Sequence, residues 1–190
     1  MSETSKLGSA WRKWDLHFHT QSSYDYGNGA VTDQEIVDGL INAGIEVVAI
    51  TDHHKLDTQR IRNLQALAGS KLTVLPGIEL NSELGGSEHV HYIGIFPETS
   101  DLDDLWTKLA AGLGITEADV LRKGVTNVWC EFGKGSELIH ELGGLVSMHA
   151  GRKSNSIENL ANADAIKRVI KKDFVERGLI DILEIGKRPS

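Results

Sequence analysis

Cysteine is almost missing from this sequence. With Cys130 alone among 190 residues, no internal disulfide framework and no cysteine-rich zinc module can form, and the chain suits a reducing compartment, the cytoplasm being the simplest. An excess of positive charge is lacking too. The formal net charge of −7 argues against a surface that binds nucleic acid broadly through counterion release. A nucleic-acid substrate stays open, because bound divalent cations would reverse the field locally. No stretch is long and apolar enough to span a bilayer, and the first ten residues are polar, without the apolar core of a secretory signal. Residues 1–12 therefore read as a flexible lead-in to one domain over 13–190. No Gly-x-Ser-x-Gly elbow is present, and no repeat, low-complexity tract or clear linker interrupts the chain.

What remains is an ordinary globular composition, 40% hydrophobic and 25% charged, with one unusual feature. Of eight histidines, six fall in pairs: His17 and His19, His53 and His54, His89 and His91. Trp14 to His19 alternates as a strand does, placing Asp15, His17 and His19 on one face and Leu16 and Phe18 on the other. Thr32 with Glu35 forms a capping box for a helix that Gly44 can end. Val47 to Thr51 is a short apolar run expected of a strand buried on both faces. Asp57 can cap a helix reaching about Ala68, and Leu72 to Ile78 reads as the next strand. Further strands are expected at His89 to Phe96, Leu145 to His149 and Leu179 to Ile185. Further helices are expected at Asp101 to Leu113, Thr116 to Lys123, Ser136 to Leu142 and Ser156 to Arg177. This alternation predicts an α/β fold of parallel strands with right-handed crossovers, either an open sheet or a (β/α) barrel.

In such folds the carboxyl ends of the strands converge on the functional site. His17 and His19 share a strand face, His53 and His54 follow the second apolar run, Glu79 follows Pro76-Gly77-Ile78, and His149 follows Leu145 to Met148. Each is a metal-type ligand, and together they point to a shared metal site rather than to four coincidences.

The order of motifs is also recognisable. Asp15-Leu16-His17-Phe18-His19-Thr20, Ile50-Thr51-Asp52-His53, Pro76-Gly77-Ile78-Glu79, His91-Tyr92-Ile93-Gly94-Ile95-Phe96 and Gly143-Gly144-Leu145-Val146-Ser147-Met148-His149 together resemble the PHP (polymerase and histidinol phosphatase) family, from Trp14 to about Ile185. The run His149 to Ser156 further resembles the PHP module that precedes an ATPase region in large bacterial proteins. The resemblance implies a distorted (β/α)7 barrel holding up to three Zn, Mn or Fe ions. It implies His17, His19, Asp25, His53, Glu79, His91 and His149 as ligands, with Glu79 bridging two metals. His91 stands at the start of its strand and enters the ligand set through the resemblance alone, with His89 on the same face as its rival. The family closes its site with a late Asp-x-His pair. No such pair follows His149, and six strands are one fewer than the barrel needs, so the domain is expected to be truncated before its last strand or strands, which leaves the fragment open to incomplete metal binding and to inactivity by itself.

Imidazole and carboxylate ligands suit divalent ions that acidify bound water and polarise a phosphoryl oxygen. Glu79, and Arg152 with Lys153 just beyond His149, are placed to assist catalysis, although the two cations read equally well as ordinary surface charges. Asp52 either orients a ligand imidazole or caps the following turn. His54 is an extra ligand, a substrate contact or a packing residue, and His140 reads as structural. The leading expectation is a metal-dependent phosphoesterase acting on a phosphorylated small molecule or on nucleic-acid ends. Its rival is a non-catalytic regulatory or scaffolding module of a larger ATPase or polymerase-type protein. An amidohydrolase-type barrel that cleaves C–N bonds ranks third, since its carboxylated lysine has no counterpart.

Overall fold

A computed structural model describes residues 12–27, 29–83, 89–121, 128–151, 172 and 174–185. Strand β1 (Trp14–Phe18) leads to helix α1 (Asp33–Asn42), β2 (Val47–Ile50), α2 (Thr58–Ala68), β3 (Thr73–Glu83) and β4 (His89–Ile95). Then follow α3 (Leu102–Leu113), α4 (Glu117–Leu121), α5 (Phe132–Glu141), β5 (Leu145–Ala150) and β6 (Ile182–Ile185). The lead-in and most of the expected helix at 156–177 lie outside the described residues.

Local signals account for most boundaries. The Thr32 side chain accepts from the Glu35 backbone N–H while Glu35 reaches back to Thr32, and Gly44, at φ +73°, supplies the left-handed turn that ends α1. Asp57 caps α2 by accepting from the Arg60 N–H. Helix α5 starts earlier than expected because Glu131 accepts from the backbone N–H groups of Gly133 and Lys134, a cap the hydrophobic pattern does not reveal.

The six strands form one sheet in sequence order. Strands β1, β2 and β3 are parallel, as are β5 and β6, but β4 runs antiparallel to both its neighbours. This corrects the all-parallel expectation. A parallel neighbour needs a crossover of a dozen or more residues, and only residues 84–88 separate β3 from β4, so the chain must return antiparallel.

The sheet is curled into a half-barrel. Leu16 of β1, Leu75 of β3 and Ile182 of β6 pack on one small inner cluster of Ala49, Ile93 and Ile95, which requires the first and last strands to face the same interior. The larger core lies between the outer face and the helices, built on residues such as Val48, Ile61, Leu80, Tyr92 and Ile139. No seventh strand is present among the described residues, and β1 and β6 share no ladder there. Two further corrections concern the site. In β1 the register slips between Asp15 and Phe18, and this bulge places Leu16 in the inner cluster and Phe18 against the outer core, instead of on one face. Strand β3 also runs beyond Ile78 to Glu83. Gly77 allows its close approach to β2, for a Cβ there would lie 2.9 Å from the Ile50 carbonyl oxygen.

Candidate metal centre

Strand β2 stops at Ile50 while β3 continues beside it, so Glu79 lies level with the carboxyl end of β2 and bridges to His53. Because β4 is antiparallel, its beginning rather than its end meets this mouth, and His91 enters from there. His17 and His19 come from the bulged end of β1, His149 from the end of β5.

These side chains meet around one carboxylate. Glu79, 1% exposed, accepts from His91 Nδ1 at Oε1 (2.6 Å) and lies at Oε2 within 2.8 Å of His17 Nε2, 3.0 Å of His19 Nε2 and 3.6 Å of His53 Nε2. His149 stacks on His17 with ring centroids 4.9 Å apart, and its Nε2 is 3.1 Å from His17 Nδ1. Asp25 stands at the rim, half exposed, with Oδ2 3.4 Å from His53 Nε2 and Oδ1 3.9 Å from His19 Nδ1. Arg152 and Lys153 lie outside the described residues, as does the side chain of His89.

Burial favours the neutral acid of Glu79, but hydrogen bonds from His17, His19 and His91 hold its pKa well below the usual range. Burial alone would lower the His17 pKa, yet hydrogen bonds and attraction to Glu184 and Glu79 push it up to about 9. Burial pulls His53 down, and it drives His54 to about 4 with help from the neighbouring His53. Asp25 is also lowered, since the Ser23 hydrogen bond and the nearby His53 and His19 outweigh its burial.

The donor set fits divalent cations. Two groups, His17 with Glu79 and His149, and His19 with His53 and Glu79, each bring three ligand atoms within 4.8 Å of one another and share the Glu79 carboxylate. His17 Nε2 and His19 Nε2 lie 3.0 Å apart, a distance at which two lone pairs repel unless a proton or cation lies between them. Among the described residues the Nδ1 atoms of His53 and His149 are buried without a hydrogen-bond partner, a cost of about 1–3 kcal/mol for a polar group left unpaired.

Other polar residues of the region have partners of their own. Asp52 neither orients an imidazole nor caps a turn: its two oxygens accept from the Thr20 backbone N–H (2.6 Å) and hydroxyl (2.7 Å), anchoring the loop after β1. His54, at φ +56°, turns away from the cluster to meet Asn81 Nδ2 at 3.2 Å. His140 pairs with Asp181 at 2.8 Å, a structural contact. Two residues at the site escaped sequence reasoning. Ser23 donates to Asp25 Oδ1 (2.6 Å) and faces His19 Nδ1 (3.1 Å). Glu184, on β6, lies 2.8 Å from His17 Nδ1. A lone carboxylate in the apolar run Ile-Leu-Glu-Ile was the available signal for the latter.

Among solved structures, the chain is similar to PfuEndoQ, the lesion-specific endonuclease from Pyrococcus furiosus, with a TM-score of 0.63 and 19% identity over 94% of this chain and 43% of that one. It is similar to a protein from Bifidobacterium adolescentis assigned as a metal-dependent phosphoesterase, with a TM-score of 0.56 and 15% identity over 93% of this chain and 78% of that one. An amidohydrolase from Chromobacterium violaceum, with bound sulfate, matches with a TM-score of 0.54 and 19% identity over 90% of this chain and 76% of the other. At these identities the likeness is one of fold. No curated protein matches the chain. The family description "PHP domain" matches residues 15–170, and the chain belongs to the PHP domain family.

Proposed function

We propose that this protein is a metal-dependent phosphoesterase whose metals are held by His17, His19, His53, Glu79, His91 and His149, with Asp25 closing the outer side. The observation that carries this reading is the Glu79 carboxylate shared by two three-residue donor groups, an arrangement suited to adjacent cations. Divalent ions bound there supply Lewis-acid polarisation of a phosphoryl oxygen and acidify water. The chain's own residues hold the ligand geometry: Ser23 fixes His19 and Asp25, and Asp52 fixes the loop that carries them. Imidazole-rich ligation suits Zn, Mn or Fe.

A cavity of about 340 Å³ opens beside His53, lined by Ser22, Tyr24, Tyr26, His54 and Asp119 among others. Among the described residues no lysine or arginine lines it, and its two tyrosines suit the organic part of a phosphoester, with the phosphate facing the cations. A phosphomonoester or a nucleic-acid phosphoester fits this division, and the fold shared with a lesion-specific endonuclease supports the second. The rival C–N hydrolase reading draws its support from the amidohydrolase of the same fold, but no lysine joins the cluster among the described residues.

The test is elemental analysis of the purified chain together with hydrolysis of p-nitrophenyl phosphate and its bis-ester. Stoichiometric metal and hydrolysis that stops on adding chelator are expected. Hydrolysis that persists in chelator and in the His17→Ala, His19→Ala double variant would remove the mechanism.

A further inference from the structure

Strand β6 pairs only with β5, and no backbone ladder joins it to β1 among the described residues. Beyond the apolar contacts of Leu16 and Ile182 with a shared cluster, the side chain of Glu184 crosses between the two ends of the sheet. Its Oε2 lies 2.8 Å from His17 Nδ1 and 3.1 Å from His149 Nε2. On the other side of the same imidazole, His17 Nε2 lies 2.8 Å from Glu79 Oε2 and 3.0 Å from His19 Nε2. His17 is thus held between two carboxylates, one facing each ring nitrogen.

A ring that binds a cation must be neutral; a neutral imidazole has one N–H, and an ionised carboxylate only accepts. Two arrangements are therefore open to the ring. With the proton on Nε2 it donates to Glu79 and turns its lone pair to Glu184 and to His149 Nε2, 3.1 Å away, on the side opposite the Glu79 carboxylate that both donor groups share. With the proton on Nδ1 it donates to Glu184, and the Nε2 lone pair faces Glu79 and His19. Only the second offers a lone pair to a cation seated at the shared carboxylate.

We propose that Glu184 is a positioning residue of the metal centre, accepting the Nδ1 proton of His17 so that Nε2 is presented to the ion. The inference rests on the metal-site reading above and acts entirely through His17. Outer carboxylates of this kind hold a ligating histidine in one tautomer and raise its basicity, and their loss costs about 10- to 100-fold in metal affinity. Glu184 is 29% exposed at its side chain, so it can be replaced without opening a cavity in the core.

The test uses Zn²⁺ as probe, its affinity for the full chain being measured by competition with a chelating indicator. Glu184→Ala is expected to weaken zinc binding about 10- to 100-fold. Glu184→Gln, which keeps an acceptor but no charge, is expected to fall between the two. A purely structural role would lower the melting temperature of the metal-free protein without this ranking. Long-range ¹H–¹⁵N spectra of the zinc-loaded wild type provide a readout independent of any variant, with the His17 proton expected on Nδ1. Unchanged zinc affinity in Glu184→Ala, or a His17 proton on Nε2, overturns this inference and leaves the metal centre standing. A wild-type chain that takes up no zinc overturns both.

Discussion

Replacing Glu79 by Gln removes one charge from the middle of the cluster while keeping the shape of the side chain, and its consequence for the metal-free protein can be worked from the structure. His17 is 17% exposed at its side chain and its pKa rises from 6.5 to about 9. At about 1.4 kcal/mol per pH unit, that rise is worth about 3 kcal/mol, shared between Glu184 and Glu79. Removing the Glu79 share is expected to cost about 2 kcal/mol, or about 4–8 °C in melting temperature for a chain of this size. The sign follows from both partners. A raised His17 pKa stabilises fully below 6.5 and loses that contribution as pH rises through about 9. A depressed Glu79 pKa stabilises above 4.5 and loses its contribution as pH falls below it. The difference between wild type and Glu79→Gln should thus be largest between about pH 5 and 6.5, shrink as pH rises from there, and be nearly gone by about pH 9. Thermal melts of chelator-treated protein across that range measure it. Equal stability at neutral pH, or a gap that widens in alkali, would refute the reasoning.

Three further outcomes are expected. Gly77→Ala sets a methyl group 2.9 Å from the backbone oxygen of Ile50, and a rigid backbone cannot yield as a side chain can. A loss of about 1–3 kcal/mol by urea denaturation is expected, and none would show that β2 and β3 can part freely. Asp52→Ala strands the buried Thr20 N–H and hydroxyl, with a loss of about 2–4 kcal/mol from two unpaired groups. Weaker zinc binding should accompany it as the β1 loop loosens. Cys130 is 2% exposed, and burial pushes its thiol up to about 12. Alkylation by iodoacetamide at pH 8 should therefore be slow in the native chain and fast in denaturant, and rapid native labelling would contradict the packing around it.

Much of the fold was legible because its signals are local. The capping box at Thr32 and Glu35, the apolar run at Val47 and the glycine stop at Gly44 each act within one turn or strand. The boundary errors have equally physical origins. Helix α5 begins at Phe132 because Glu131 caps it, whereas the apolar periodicity starts to speak only near Ser136. Strand β3 outruns Ile78 because β4 supplies a partner as far as Glu83. The bulge in β1 escaped notice because it reveals itself only in the register against β2.

The sequence by itself determined the chemistry: which residues can bind a metal, that they recur at the ends of apolar runs, and that no cluster of cysteines competes with them. Local pattern suffices there, since side-chain type and strand period are properties of the chain alone. Only the tertiary structure decided how those residues meet. An antiparallel β4 brings His91 in from the start of its strand, a short β2 leaves Glu79 open beside His53, and the curl of the sheet carries Glu184 across to His17. Each depends on strand direction, relative length or curvature, which arise from pairing between distant segments and leave no mark within any one of them.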